Sequence, residues 1–295
     1  MSPSADSLVL IVNPAAGRGR AASAAEDIVR LLGRGNRIET RFSDQPGGVH
    51  TSVAAAIDEG FKRIVVAGGD GTVHEAINAI VSKDSDAALG VVPVGTGNDF
   101  VKAAGIPLDW KSACERIVRD QQVHVDIGRC NDTFFGNGIG VGLDARIVEI
   151  AKDIRWLKGF PVYVAALARC LVDGVDTTDV SIEWDHGSIV QPVTLVAVAN
   201  GHCYGGGFRI APPASIRDGV LDVVIADAVT RLKALQFVPR VMRGTHMGTD
   251  IVRHETSRHV RIRAGTELPV QIDGETRRMS SLDIEVLPGR LRLMV

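Results

Sequence analysis

Aromatic residues make up only 4% of the 295-residue chain, and the formal net charge is −2, with both signs interspersed. Nucleic acid demands a positive surface and usually stacking aromatics, so these two scarcities argue against it as a partner. The four cysteines, Cys114, Cys130, Cys170 and Cys203, stand far apart and form no CxxC pair. They are expected as buried thiols in a reducing compartment. No stretch approaches the ~18 apolar residues of a membrane span. The N-terminus lacks a positive leader region, and Leu8 to Val12 is too short for a signal core. A cytoplasmic protein with at most peripheral membrane contact is expected. The eight histidines include no HExxH, and none pairs with a cysteine at ligand spacing, so zinc is disfavoured. His254 and His259 fall in an Arg-rich polar stretch and are expected at a solvated surface. A GxSxG elbow and a GxxxxGK[ST] loop are both missing, which removes serine hydrolases and ordinary P-loop chemistry. Internal repeats and low-complexity segments are also lacking.

What is present is a length of 295 residues, which fits one large or two ordinary domains, and an apolar share of 45%, enough for a sizeable core. The chain is organised around Ile64 to Val81. Ile64, Val65 and Val66 read as a short buried strand. Gly68-Gly69-Asp70-Gly71-Thr72 follows, and Val73, Ala76, Ile77, Ile80 and Val81 recur at helical spacing. A glycine turn thus stands between a strand and a helix N-terminus, where unsatisfied N–H groups and the helix dipole favour an anion. Asp70 can face a metal ion from this turn.

The same rhythm surrounds that stretch. Leu8 to Val12 is a strand ending in Asn13-Pro14-Ala15-Ala16-Gly17-Arg18-Gly19-Arg20. A helix carries Ala25, Ile28, Val29 and Leu32, closed by Gly33 and Gly35. Ile38 to Phe42 is a second strand, and Val49, Val53, Ala56 and Ile57 mark another helix. Leu89 to Val92 is a strand ending in Pro93-Val94-Gly95-Thr96-Gly97-Asn98-Asp99-Phe100. Asp109 can cap a helix with Trp110, Ala113, Ile117 and Val118. This βα alternation implies a parallel sheet covered by helices, with ligands beyond the carboxyl ends of the strands. The Asn13, Gly68 and Gly95 turns all lie at those ends, and two phosphate-type loops in one sheet are what a polyphosphate would need. Gly17-x-Gly19-x-x-Ala22 also fits a dinucleotide pattern, but the acidic partner, Glu39, falls inside the second strand rather than at its end.

After Val123 the pattern changes. Val123 to Cys130 and Thr133 to Gly138 read as strands, and Asn137 to Asp144 as the opening of a helix through Ile150. Val162 to Leu171 reads as a helix, and so does Leu232 to Met242. Strands are expected at Val180–Trp184, Val193–Ala199, Leu221–Ala226, Val260–Arg263, Val270–Asp273, Leu282–Val286 and Leu291–Met294. Close-set strands with short turns suggest an antiparallel sandwich. The expected division is residues 1–124 as an α/β unit and 125–295 as a β-rich unit, with the last strand free to return to the first. Trp156, Leu157, Phe160 and Tyr163, beside Arg155 and Lys158, form an apolar–aromatic cluster that suits a membrane interface or, on the plainer reading, a buried helix.

Gly68-Gly69-Asp70-Gly71-Thr72 followed by Gly95-Thr96-Gly97-Asn98-Asp99-Phe100 resembles the catalytic domain of the diacylglycerol kinase family, which includes bacterial soluble lipid kinases and the sphingosine and ceramide kinases. Asn13-Pro14-Ala15-Ala16-Gly17 resembles its first nucleotide loop, with Ala16 where Ser is common. Asn137, Gly140, Gly142 and Asp144 match a mid-chain motif. Ala199-Asn200-Gly201, Gly205-Gly206-Gly207, Pro213-Ala214, Asp218-Gly219 and Asp273-Gly274-Glu275 match the C-terminal half. His74 stands where Asn is usual, next to the matching Glu75. The resemblance implies an N-terminal NAD kinase/phosphofructokinase-like α/β domain, a C-terminal β-sandwich and an active site in the cleft between them. It implies an ATP-dependent phosphotransferase of phospholipid metabolism acting on diacylglycerol or a related lipid. Asn13, Pro14, Ala15, Ala16, Gly17, Ser43, Gly68, Gly69, Asp70, Gly71, Thr72, Val73, His74 and Thr96 would hold the nucleotide. Asp70 would act on the Mg²⁺–phosphate assembly, and Glu275 would be the general base. Asp218, with the carbonyls of Ser215 and Val220, would hold a second, structural Mg²⁺. A NAD kinase and a nucleotide-binding regulator without catalysis are the alternatives. The lipid itself is not legible, because acyl pockets are lined with apolar residues that look like core. The oligomeric state, a homodimer included, is also left open.

Overall fold

The first strand, β1 (Ser7–Val12), is buried at five of its six positions, as a parallel strand covered on both faces must be. The computed structural model describes residues 7–43, 45–154, 156–157 and 159–295. Contacts divide the chain into Met1–Asp126 with Gly289–Val295, and Ile127–Pro288.

In the first unit, α1 (Arg20–Leu32) starts from Gly19 in the left-handed region and buries Ala21, Ala25, Ile28 and Leu32 at helical spacing. Next come β2 (Arg37–Phe42), α2 (Gly48–Asp58), the fully buried β3 (Arg63–Gly68), α3 (Asp70–Ser82) and the fully buried β4 (Ala88–Pro93). A five-residue α4 (Asp99–Ala103) precedes α5 (Trp110–Arg119), which Asp109 caps by accepting from Ser112 N–H. β1 pairs in parallel with β2 and β3, and β3 with β4, giving the order β2-β1-β3-β4. One core cluster joins Leu8, Leu10 and Val65 to Ile28 and Ile117. Truncating a fully buried leucine such as Leu10 to Ala is worth about 2–5 kcal/mol. β5 (Gln122–Cys130) leads on to the second unit.

There follow β6 (Thr133–Phe135), β7 (Gly138–Gly142), α6 (Leu143–Asp153), α7 (Phe160–Asp173), β8 (Thr178–Trp184), β9 (Gly187–Ala199), β10 (Leu221–Asp227), α8 (Arg231–Arg243), β11 (Val252–Ser257), β12 (His259–Ile272) and β13 (Glu275–Met294). Pairings within this unit are antiparallel: β11 with β10, β10 with β9, and β12 with β13. β7 and β8 each pair with both β9 and β12, at different stretches of those long strands. Val196, Val198, Ile262 and Ile284 belong to the core they enclose. The end of β13 pairs in parallel with β4, Arg292 opposite Ala88.

Several expectations are corrected. Residues 138–142 form a strand, and the helix starts only at Leu143. Its glycines make room: a Cβ on Gly138 would stand 1.9 Å from Tyr204 Oη, and one on Gly140 1.7 Å from Asp144 Oδ2. The strands expected at 260–263 and 270–273 are one strand with a register shift between Arg263 and Leu268. Those at 282–286 and 291–294 are also one, running through Gly289 at φ 60°. β11 is polar and, among the described residues, pairs with β10 at the end of the strand order, so no apolar pattern announced it. His254 and His259 are half-buried, and their Nε2 atoms meet Asp222 and Asp283. Trp156 is 79% exposed rather than packed in a helix, while the Phe160 ring lies tilted against Phe208 with centroids 5.0 Å apart. Arg155 and Lys158 lie outside the described residues. The cysteines are buried and free, as expected, and burial pushes the Cys114 and Cys130 thiols up to about 12.

Candidate active site

The three turns of the first unit interlock. The Gly68 carbonyl accepts from Val94 N–H at 3.0 Å and Gly95 N–H at 3.1 Å. A Cβ on Gly95 would stand 2.4 Å from Gly69 Cα, and one on Gly17 2.2 Å from the Val94 carbonyl. Such backbone-on-backbone approach is why these positions are glycine. The Arg20 guanidinium donates to the carbonyls of Gly17 (3.2 Å), Val94 (3.1 Å) and Gly95 (3.1 Å), clamping the first turn to the third. Asn13 Nδ2 donates to Thr72 Oγ1 at 3.0 Å, tying the first to the second.

Two carboxylates of α3 complete the frame. Asp70 accepts from the backbone N–H of Asn98 on Oδ2 and of Asp99 on Oδ1, both at 2.7 Å. Asn98 takes a left-handed φ of 54° to begin α4, so Asp70 holds a conformation that costs energy for a non-glycine residue. Glu75 accepts from Gly47, Val49 and His50 N–H and caps α2. Gly69 is the N-cap of α3, and no side chain caps it by a hydrogen bond. That end of α3 therefore presents a positive dipole end ringed by glycine, which fits a phosphate.

Not all expected nucleotide residues present side chains. Pro14, Ala15, Gly17, Gly71 and Thr96 have accessible surface, and Ala16 is half-buried. Thr72 (3%), Val73 (2%), His74 (8%) and Ser43 (7%) are buried. The N–H of Val73 is held by Gly69 and that of Ser43 by Val12. Arg20 carried no distinctive sequence signal, and Glu75 only its match to the family motif.

In the second unit Asp273 is a hub. It accepts from Gly136 N–H at 2.8 Å and from Asn137 and Gly138 N–H at 2.9 Å. Asn200 Nδ2 donates to the Gly136 carbonyl, and Asn137 Nδ2 to that of Cys203. Asp273 and Gly274 form the two-residue turn between β12 and β13, with φ of 48° and 88°. Glu275 is the first residue of β13, so the hub fixes its backbone. Its carboxylate is half exposed, 3.3 Å from Lys152 Nζ. Asp218 is exposed in a turn and accepts from Val220 N–H at 3.3 Å. No group of three or more His, Cys, Asp or Glu side chains could hold a metal among the described residues. A cation at Asp218 would therefore rely on carbonyls and water, ligands that suit Mg²⁺.

This unit also contains an apolar cavity of about 120 Å³. Ala234, Phe237, Val238 and Val241 line it from the inner face of α8, with Leu167 of α7 and Val224 of β10. Leu232, Leu235 and Met242, on the other face of α8, are exposed.

Residues 7–130 match the diacylglycerol kinase catalytic domain. Residues 137–295 match the YegS C-terminal NAD kinase beta sandwich-like domain. The chain belongs to the family that these two domains define, and it is a kinase. It is 29% identical over 302 residues to a diacylglycerol kinase of Mycobacterium tuberculosis (strain ATCC 25618 / H37Rv), covering 96% of this chain and 93% of that one. It is 29% identical over 232 residues to a diacylglycerol kinase of Bacillus subtilis (strain 168), covering 77% and 75%. A crystal structure of a diacylglycerol kinase from Bacillus anthracis str. Sterne shares the fold, with a TM-score of 0.77, 22% identity, and coverage of 98% and 96%. No described helix is long and apolar enough to cross a membrane.

Proposed function

We propose that the chain transfers the γ-phosphate of ATP to a hydroxyl of diacylglycerol or a related lipid. The observation that carries this reading is the set of interlocked glycine turns at the N-terminus of α3, which no side chain caps by a hydrogen bond. Asn13 to Gly17, Gly68 to His74 and Thr96 receive the nucleotide, the buried members by shaping the backbone and the accessible ones by contact. Mg²⁺ would neutralise phosphate charge beside Asp70, and a second ion would sit at Asp218 with the Ser215 and Val220 carbonyls. Glu275 accepts the proton of the lipid hydroxyl as that oxygen bonds to the γ-phosphorus and the bond to the ADP oxygen breaks. The apolar cavity supplies room for part of an acyl chain. The exposed face of α8, with Arg231, Lys233, Arg240 and Arg243 on the same helix, suits an anionic bilayer.

The test is incubation with γ-labelled Mg-ATP and a total lipid extract, read by mass spectrometry. Label in a lipid is the expected result. Label in NAD with none in lipid would make the protein a NAD kinase. No transfer to either, with ATP still raising the melting temperature, would make it a nucleotide-binding regulator.

A further inference from the structure

Gln271 is 4% exposed and stands in β12 between Gly140 of β7 and Thr276 of β13, its partners in register. Directly opposed residues share a face of the sheet, so the three positions form one row. The space left by Gly140 is taken by Asp144: a Cβ there would stand 1.7 Å from Asp144 Oδ2. Asp144 lies in the first turn of α6, and its Oδ2 accepts from Gln271 Nε2 at 2.8 Å. Gln271 Oε1 accepts from Gly274 N–H, also at 2.8 Å. A carboxylate needs the NH₂ end and an N–H the oxygen end, so these partners fix the orientation of the amide. Across the row, Lys152 in the last turn of α6 brings Nζ to 3.2 Å from Thr276 Oγ1 and 3.3 Å from Glu275 Oε2. α6 therefore meets the hairpin of β12 and β13 near both of its own ends. That hairpin turn is costly to hold, because Asp273 has a left-handed φ of 48°. Fixing the Gly274 N–H fixes the direction in which the chain enters Glu275.

We propose that Gln271 and Lys152 are positioning residues for Glu275. Gln271, held by Asp144, keeps the turn that carries the glutamate, and Lys152 keeps its carboxylate, so α6 is the brace of the base. A displacement of about 1 Å at a reacting group costs on the order of 10²-fold in rate, which is what the brace prevents. This inference rests on reading Glu275 as the general base of a lipid kinase.

Two measurements on the full chain test it. The first is turnover with γ-labelled Mg-ATP and a total lipid extract. Gln271→Met keeps length and removes both hydrogen bonds, and Lys152→Ala removes the ion pair. Each should lower kcat about 10- to 100-fold. KM for ATP should stay within about twofold. Lys152→Arg should restore turnover. In a Glu275→Gln background neither substitution should lower the residual rate further, because both act through that carboxylate. The second is hydrogen exchange of the Gly274 amide by NMR, slow in the wild type and about tenfold faster in Gln271→Met. Wild-type kcat in either variant, a loss confined to KM, full additivity with Glu275→Gln, or Gly274 exchange unchanged by Gln271→Met would each overturn the inference. If Gln271→Met does not fold, the Lys152 cycle and Gly274 exchange in the wild type decide it, fast exchange overturning it. A protein that labels lipid and needs Glu275, yet exchanges Gly274 alike in both forms, keeps the kinase reading and loses this one. A protein that labels no lipid, yet protects Gly274 through Gln271, loses the kinase reading and keeps the brace of the turn.

Discussion

Asp70 Oδ2 accepts a 2.7 Å hydrogen bond from the backbone N–H of Asn98, joining the two glycine turns by a carboxylate. Oδ1 does the same for Asp99. The residue expected to act on the metal–phosphate assembly is thus also a latch. Asp70→Asn keeps one acceptor oxygen and turns an NH₂ group toward the other N–H. A loss of about 1–3 kcal/mol is expected in urea unfolding, together with loss of lipid phosphorylation. Unchanged stability would remove the latch, and wild-type turnover would remove the role at the phosphates.

Gly95 tests the turns without removing a charged side chain. Gly95→Ala would bring a Cβ to 2.4 Å from Gly69 Cα and 2.7 Å from Asn98 Oδ1, so backbone must move. The expected outcome is loss of the rise in melting temperature with Mg-ATP. An undiminished shift would show that the spacing of the two turns does not matter for the nucleotide.

Glu275 should behave differently. Glu275→Gln keeps size and β13 geometry and removes the basic oxygen. Turnover should be lost while calorimetric ATP affinity is largely kept; unchanged turnover takes Glu275 out of the mechanism. Lys152→Ala separates chemistry from stability. The pair is half exposed, so its loss should cost less than about 1 kcal/mol in unfolding.

The βα rhythm of the first unit was legible because Leu8, Ile28, Val65 and Ile117 sit at regular strand and helix spacings. The turn residues were legible because close backbone approach requires glycine. What was not legible is which partner each polar residue finds. Glu75 matched a motif with no role and proves to cap α2. Asp273 stood at the end of an expected strand and in a matched motif with no role, and it proves to hold three backbone N–H groups. Such bonds join residues distant in sequence, and residue type alone does not specify them. The cavity was hidden for another reason: Ala234 and Val238 have the pattern of core, and only the tertiary arrangement leaves space beside them.

The outer face of α8 predicts membrane approach. Leu232 and Leu235 are 67% and 55% exposed. Leu232→Asp with Leu235→Asp should weaken co-sedimentation with phosphatidylglycerol vesicles several-fold and leave ATP affinity unchanged. Vesicle binding equal to wild type would mean that the bilayer is met elsewhere.

His246 also sets a pH dependence. Burial lowers its pKa in the folded state, while the unfolded value stays near ~6.5. Above that value both states hold a neutral ring, and its contribution to stability is fully present. As pH falls through ~6.5 the unfolded chain takes up a proton that the folded chain resists, so stability is lost with acid. His246→Asn has no such titration. The urea midpoints of wild type and variant should therefore draw together between pH 7.5 and pH 5, with the carboxylates common to both cancelling in the difference. Parallel curves across that range would show that His246 titrates alike in both states.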